Sequence, residues 1–153
     1  MNPIKCAMIA GLMIGVTALP AQAAMTVIYQ ASGVYDSGGP IQTGIATAIL
    51  CTNPTNRPRR VRVIIRNFDG AVAGSATVAV AARGTATFVT RTTVVFVSDA
   101  ALATGWIAQG SATIMAASDK VFCSIVVIDA SKAIPTFANS LHLVRFPRGG
   151  GEE

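Results

Sequence analysis

Between residues 24 and 147 the chain never holds the three-to-four-residue apolar spacing of an amphipathic helix over a helix's length. It runs instead as short β-branched stretches cut by Gly, Pro, Asn and Asp. Parallel strands need crossovers of a dozen or more residues, usually helical. With no such segment available, the strands must pair mainly antiparallel. Composition closes the other routes. Glutamate occurs only as Glu152 and Glu153, too little for a helical bundle or coiled coil, and 52% hydrophobic against 12% charged residues excludes a disordered chain.

The first 23 residues stand apart. Lys5 supplies a positive start, Cys6 to Leu19 form an apolar run, and Pro20 precedes Ala21-Gln22-Ala23, an A-x-A cleavage signature. Such a run is shorter than the ~20 residues a spanning helix needs, so the segment is predicted to be a cleaved signal peptide; an uncleaved anchor is the alternative. This implies a periplasmic or secreted protein with no membrane span in its mature form. The expected organisation is a leader over 1–23, one β-sandwich domain over 24–147 and a disordered tail over 148–153 that ends in Gly-Gly-Gly-Glu-Glu.

Seven to nine strands fit the remaining length. They fall at Met25 to Ala31, Gly44 to Cys51, Arg60 to Asn67, Ser75 to Ala81, Thr85 to Thr90, Thr92 to Val97, about Ser111 to Ala116, Val121 to Ile128, and within Ile134 to Phe146. Turns are predicted at Tyr35 to Pro40, Thr52 to Pro58, Asp69-Gly70 and Arg83-Gly84. In the third strand Val61, Val63 and Ile65 point one way and Arg60, Arg62 and Arg66 the other, interrupted by Ile64. Val121 to Ile128 is apolar on both faces, as in a strand covered on both sides, which places it centrally.

Cleavage removes Cys6 and leaves Cys51 and Cys123. An even pair in an exported domain reads as a disulfide; two buried free thiols are the alternative. Both cysteines lie on apolar strand faces, 72 positions apart, and so resemble the inter-sheet pair of an immunoglobulin-like sandwich. Trp106 departs from the antibody pattern, where the tryptophan follows the first cysteine closely. The run Cys51-Thr52-Asn53-Pro54, then Val61 to Gly70, then Val78 to Phe88, is similar to the sensory-rhodopsin-transducer layout. That resemblance implies a ligand-binding or signalling module and transfers no site residue. Chaperone-assembled pilins are also small exported two-cysteine sandwiches, but the Gly-Gly-Gly-Glu-Glu end departs from their terminal β-motif. The fold expected is therefore an antiparallel, immunoglobulin-like sandwich with one inter-sheet disulfide.

The residues offer little for catalysis. There is no G-x-S-x-G elbow, His142 is the only imidazole, and an isolated histidine on a last strand reads as a surface residue. Each of Asp36, Asp69, Asp99, Asp119 and Asp129 sits in or beside a turn, where its carboxylate can cap local amides. No D-x-D-x-D spacing suggests calcium, so neither a metal nor another cofactor is expected. The reading is a non-catalytic binding or structural module.

One feature is uneven. Arg57, Arg59, Arg60, Arg62 and Arg66 crowd into ten positions of a chain whose mature balance is about +4. Such a row could hold a polyanion, whether acidic glycan, lipopolysaccharide phosphate or nucleic acid, because the guanidinium fork binds phosphate or carboxylate through two bonds. It also satisfies the plain need of a sandwich for a polar outer face. Phe68 is the only aromatic nearby, which disfavours single-stranded nucleic acid. Partners through an unpaired edge at Met25 to Gln30 or Thr92 to Val97, including further copies in a surface assembly, are a further expectation. So is a hydroxyl-lined face from Thr85, Thr87, Thr90, Thr92 and Thr93.

Overall fold

The structure, a computed structural model, describes residues 24–146; the expected leader and tail lie outside the described residues. Ten strands form among the described residues, against the seven to nine expected, the short β6 and the division of the last strand making the difference: β1 (Thr26–Ser37), β2 (Ile45–Thr52), β3 (Arg59–Arg66), β4 (Val72–Val80), β5 (Thr85–Val89), β6 (Ala100–Ala101), β7 (Trp106–Ala116), β8 (Phe122–Asp129), β9 (Ala138–Ser140) and β10 (Val144–Arg145). They build two five-stranded sheets, β10-β1-β7-β3-β4 and β6-β5-β2-β8-β9. Every pairing is antiparallel except β5 with β6.

The core lies between the sheets and follows the period-two pattern. Val34, Val61, Val63, Ile65, Ile107 and Ile114 face it from the first sheet, and Ile49, Phe88 and Ile125 from the second, all at most 1% exposed. Each such side chain contributes roughly 1.5–3 kcal/mol through burial. Ile64 stays in phase with Arg60, Arg62 and Arg66 and shares their outer face, so the alternation in β3 is unbroken. β8 is paired on both sides, between β2 and β9, but β2 rather than β8 is the central strand and Phe122 is 51% exposed.

The disulfide forms, but within one sheet. Cys51 and Cys123 are directly opposed partners on β2 and β8, with Cα atoms 4.1 Å apart. The inter-sheet bridge expected from an immunoglobulin-like pattern is thus corrected. Alternation tells which face a cysteine occupies, and both do face the core, but packed sheets stand about 10 Å apart while opposed neighbours on one face are far closer.

Three further segments differ from expectation. Thr92 to Val97 forms no strand; it crosses the outer face of the second sheet, where Val95 and Phe96 pack over Ala48, Val89 and Ile128. Thr87, Thr90 and Thr93 are buried, so the expected hydroxyl-lined face is not open. Met25 to Gln30 is an edge only in part, because β1 pairs with β7 on one side and, at Tyr29 and Gln30, with β10 on the other. Finally, the single last strand expected in Ile134 to Phe146 splits into β9 and β10, in different sheets. Leu141 and Leu143 cross between them and pack against the core, closing one open side of the sandwich. Gly33, in a bulge of β1 at φ +86°, makes room there: a Cβ would lie 3.3 Å from Leu141 Cδ2.

Candidate functional site

The arginine row divides between two places. Arg60, Arg62 and Arg66 share the outer face of the first sheet, opposed on β4 by Ala79, Thr77 and Val72. Arg57 and Arg59 belong instead to the end of the sandwich where β3 begins, Arg57 exposed on its loop and Arg59 half-buried with Nε donating to Thr55 Oγ1 at 3.3 Å.

That end gathers cations from elsewhere in the chain. Asn53, fully buried, is its organiser. Its Nδ2 donates to the carbonyls of Arg57 (2.8 Å), Val80 (3.2 Å) and Ala81 (2.9 Å), while its Oδ1 accepts from the backbone and hydroxyl of Thr55. The 53–58 loop is thereby tied to the 81–84 turn, a joint reinforced by Arg83 N donating to Thr55 O at 3.0 Å. This brings the exposed Arg83 beside the loop of Arg57. The 117–121 turn joins them through Ala117 N donating to Arg60 O at 3.1 Å, and carries the exposed Lys120. Arg145 reaches the same turn, donating to Asp119 O at 2.6 Å, and lies 5.6 Å over the Tyr29 ring. Arg57, Arg59, Arg83, Lys120 and Arg145 therefore stand at one end of the sandwich, next to the start of the sheet face that carries Arg60, and Asp119 is the only carboxylate on these loops. Sequence reasoning missed the last three of these cations because each is isolated along the chain. The one signal was turn chemistry, Asn53-Pro54 and Arg83-Gly84, which marked two of the loops.

A second feature lies on the outer face of the first sheet. Ser32 of β1 opposes Ser111 of β7, which opposes Arg66 of β3; in the next row Val144 of β10, Gln30, Thr113 and Ile64 stand in line. Small side chains at the centre of these rows leave a groove of about 470 Å³, walled by Arg66 on one side and by His142, Val144 and Phe146 on the other. His142 is exposed, as its isolation along the chain suggested, but it stands at this groove rather than alone on the surface.

The opposite end contains the only ion pair among the described residues. Asp36 is 1% exposed and Arg91 6%, and Arg91 Nη2 bonds Asp36 Oδ1. Arg91 Nη1 also donates to the carbonyls of Gly38, Pro40 (3.2 Å) and Thr43 (3.0 Å), which pins the 38–44 loop from beneath. Asp36 Oδ1 accepts from Gly38 N at 2.8 Å, while its Oδ2 is buried without a hydrogen-bond partner. No local pattern links residues 55 positions apart, so this pair was invisible in the sequence.

Asp69 and Asp129 cap local backbone as anticipated, whereas Asp99 accepts from an amide twelve positions away on β5. Asp69 accepts from Ala71 N at 3.0 Å, and Asp99 from Thr87 N at 2.8 Å. Asp129 accepts from Ser131 Oγ (2.5 Å), Ser131 N (3.0 Å) and Thr136 Oγ1 (2.8 Å). These bonds stabilise the carboxylate and lower its pKa to about 2, the Ser131 hydroxyl contributing most. Among the described residues no three His, Cys, Asp or Glu side chains gather as a metal site, and no helix is long and apolar enough to cross a membrane. No family model, curated protein or solved structure matches the chain.

Proposed function

We propose that the protein is an exported, non-catalytic binding module that holds a polyanionic ligand at the basic end of its sandwich. The observation that carries this reading is the placement of Arg57, Arg59, Arg83, Lys120 and Arg145, from separate parts of the chain, at one end of the sandwich with Asp119 the single carboxylate on its loops. A cluster of that sign raises the local concentration of anions, and guanidinium groups suit phosphate and carboxylate geometry. The aromatics at this end are Tyr29, covered by Arg145, and Phe122, 51% exposed, so there is little platform for stacking bases. Acidic glycans and phosphate-bearing lipopolysaccharide fit better than single-stranded nucleic acid.

Two observations support export and the absence of catalysis. The leader pattern of residues 1–23 agrees with a disulfide, which persists in oxidising compartments such as the periplasm. Both cysteines of the described domain are consumed in that bond, so His142 has no thiol nucleophile to activate.

The test is retention on heparin resin at about 150 mM salt, where exposed charges a Debye length apart are already screened. Wild type should be retained. An Arg57→Gln, Arg83→Gln, Lys120→Gln triple variant should pass through, while Arg62→Gln with Arg66→Gln, on the sheet face, should stay bound. A triple variant eluting at the wild-type salt concentration would overturn the assignment to this end.

A further inference from the structure

The groove on the outer face of the first sheet is independent of the basic end, and its chemistry is different. It combines a cation, hydroxyls and an apolar wall within one cavity. Its volume, about 470 Å³, falls in the range of sites for small ligands, roughly 300–1,000 Å³. No carboxylate lines it, and Arg66 makes no ion pair among the described residues. Arg66 is also held in place: it is half-buried, and its Nη1 donates to Gly70 O at 2.9 Å. One bond of this kind steadies the guanidinium and leaves most of its five donors for another acceptor.

We infer that this groove binds a sugar carboxylate, a uronate, with its acid group on Arg66. The floor supplies what a polyhydroxylated ring needs: Ser32, Ser111 and Thr113 hydroxyls, each able to donate and accept, and the Gln30 amide with both functions. The opposite wall supplies Phe146, 41% exposed, and Val144, 50% exposed, against which the less polar face of a pyranose ring packs. Inorganic phosphate has no use for that apolar wall, and a purely apolar ligand would strand the floor's polar groups. His142 stands at the rim as a further hydrogen-bonding group. The groove exists because the central residues of the rows are small; a large side chain at Ser111 would fill it.

Titration of the isotopically labelled protein with D-glucuronate, followed by amide chemical shifts, tests this. Saturable shifts should appear on β1, β7 and residues 142–146, with a dissociation constant on the order of 1–10 mM as expected for a single sugar. D-glucose and the methyl ester of glucuronate should bind at least about tenfold more weakly, equivalent to about 1.4 kcal/mol for the charged contact. Arg66→Gln and Ser111→Leu should each abolish saturation. Because Arg66 also bonds the β3–β4 turn, His142→Ala, an exposed site, serves as the mild variant and should weaken binding several-fold. Equal binding of glucose, no saturation by glucuronate, shifts confined to the 53–58, 81–84 and 117–121 loops, or unaltered affinity in Arg66→Gln would each overturn the inference. Retention of the same Arg66→Gln protein on dextran sulfate, a polyanion without uronate, reports on the basic end separately, so the two readings fail independently.

Discussion

Replacing Arg91 with methionine should destabilise the protein more than any single change at its surface. The side chains of Arg91 and Asp36 are 7% and 1% exposed, so neither charge is shared with water. Methionine keeps much of the volume but removes the cation, and leaves Asp36 buried with both oxygens short of a positive partner. It also removes the donor to the carbonyls of Gly38, Pro40 and Thr43. Breaking a buried pair from one side costs about 3–5 kcal/mol. The orphaned carbonyls put Arg91→Met at the upper end and Asp36→Asn, which keeps Gly38 N–H bonded, at the lower. Against a total stability of about 5–15 kcal/mol this is a large share. A domain of this length loses about 4 °C in Tm per kcal/mol, so Arg91→Met should melt about 15–20 °C below wild type. The assay is thermal unfolding by circular dichroism at pH 7, with Asp36→Asn and the double variant. The double variant should cost less than the sum of the singles by about 2 kcal/mol, because the uncompensated charge is gone. A Tm for Arg91→Met within about 3 °C of wild type, or strictly additive costs, would refute the argument.

Two further outcomes follow from other parts of the sandwich. The Cys51→Ala, Cys123→Ala variant frees a 72-residue loop in the unfolded chain, and by chain entropy should lose about 4 kcal/mol in urea unfolding; a loss under about 1 kcal/mol would refute that account. Asp129 has a folded-state pKa of about 2 against an ordinary 3.8. A lowered carboxylate pKa stabilises the fold above the unfolded value and withdraws that stabilisation as pH falls through the folded one, so the acid loss belongs between about pH 4 and 2. Ser131→Ala should move that loss to higher pH and Asp129→Asn should flatten it in a Tm series from pH 5 to 2; an Asp129→Asn profile parallel to wild type would count against the capping role.

What was legible in the chain was whatever a strand's own period encodes. Val61, Val63 and Ile65 against Arg60 and Arg62 fixed the faces of β3, and Val121 to Ile128 announced an interior strand. Where a face is only half of the answer, the reading stopped. Cys51 and Cys123 were correctly turned inward, but the period cannot say whether an inward neighbour belongs to the same sheet or the facing one. Thr92 to Val97 has a strand's composition because it must be apolar and stiff, yet it uses those side chains to cover Ala48, Val89 and Ile128 rather than to pair. Propensity measures fit to a half-buried surface, and a covering segment meets that condition without a ladder. Asp36 and Arg91 left no trace at all, since nothing local ties an acid in one turn to a base 55 positions away.

The basic cluster shows the same limit with the opposite consequence. As a row along β3, arginines could be no more than the polar outer face that any sandwich requires, and Arg60 and Arg62 do meet that need. Arg57, Arg83 and Lys120 do not, because they stand on loops and turns where Asn, Ser or Gly would keep the backbone equally well solvated. The loops at the other end make the contrast. Ile41, Phe68, Trp106 and Ile134 are 63–86% exposed there. Folding by itself demands neither a charged end nor an apolar one, and like charges brought together from three loops repel rather than stabilise. On the proposed reading, the anion bound at this end would relieve that repulsion.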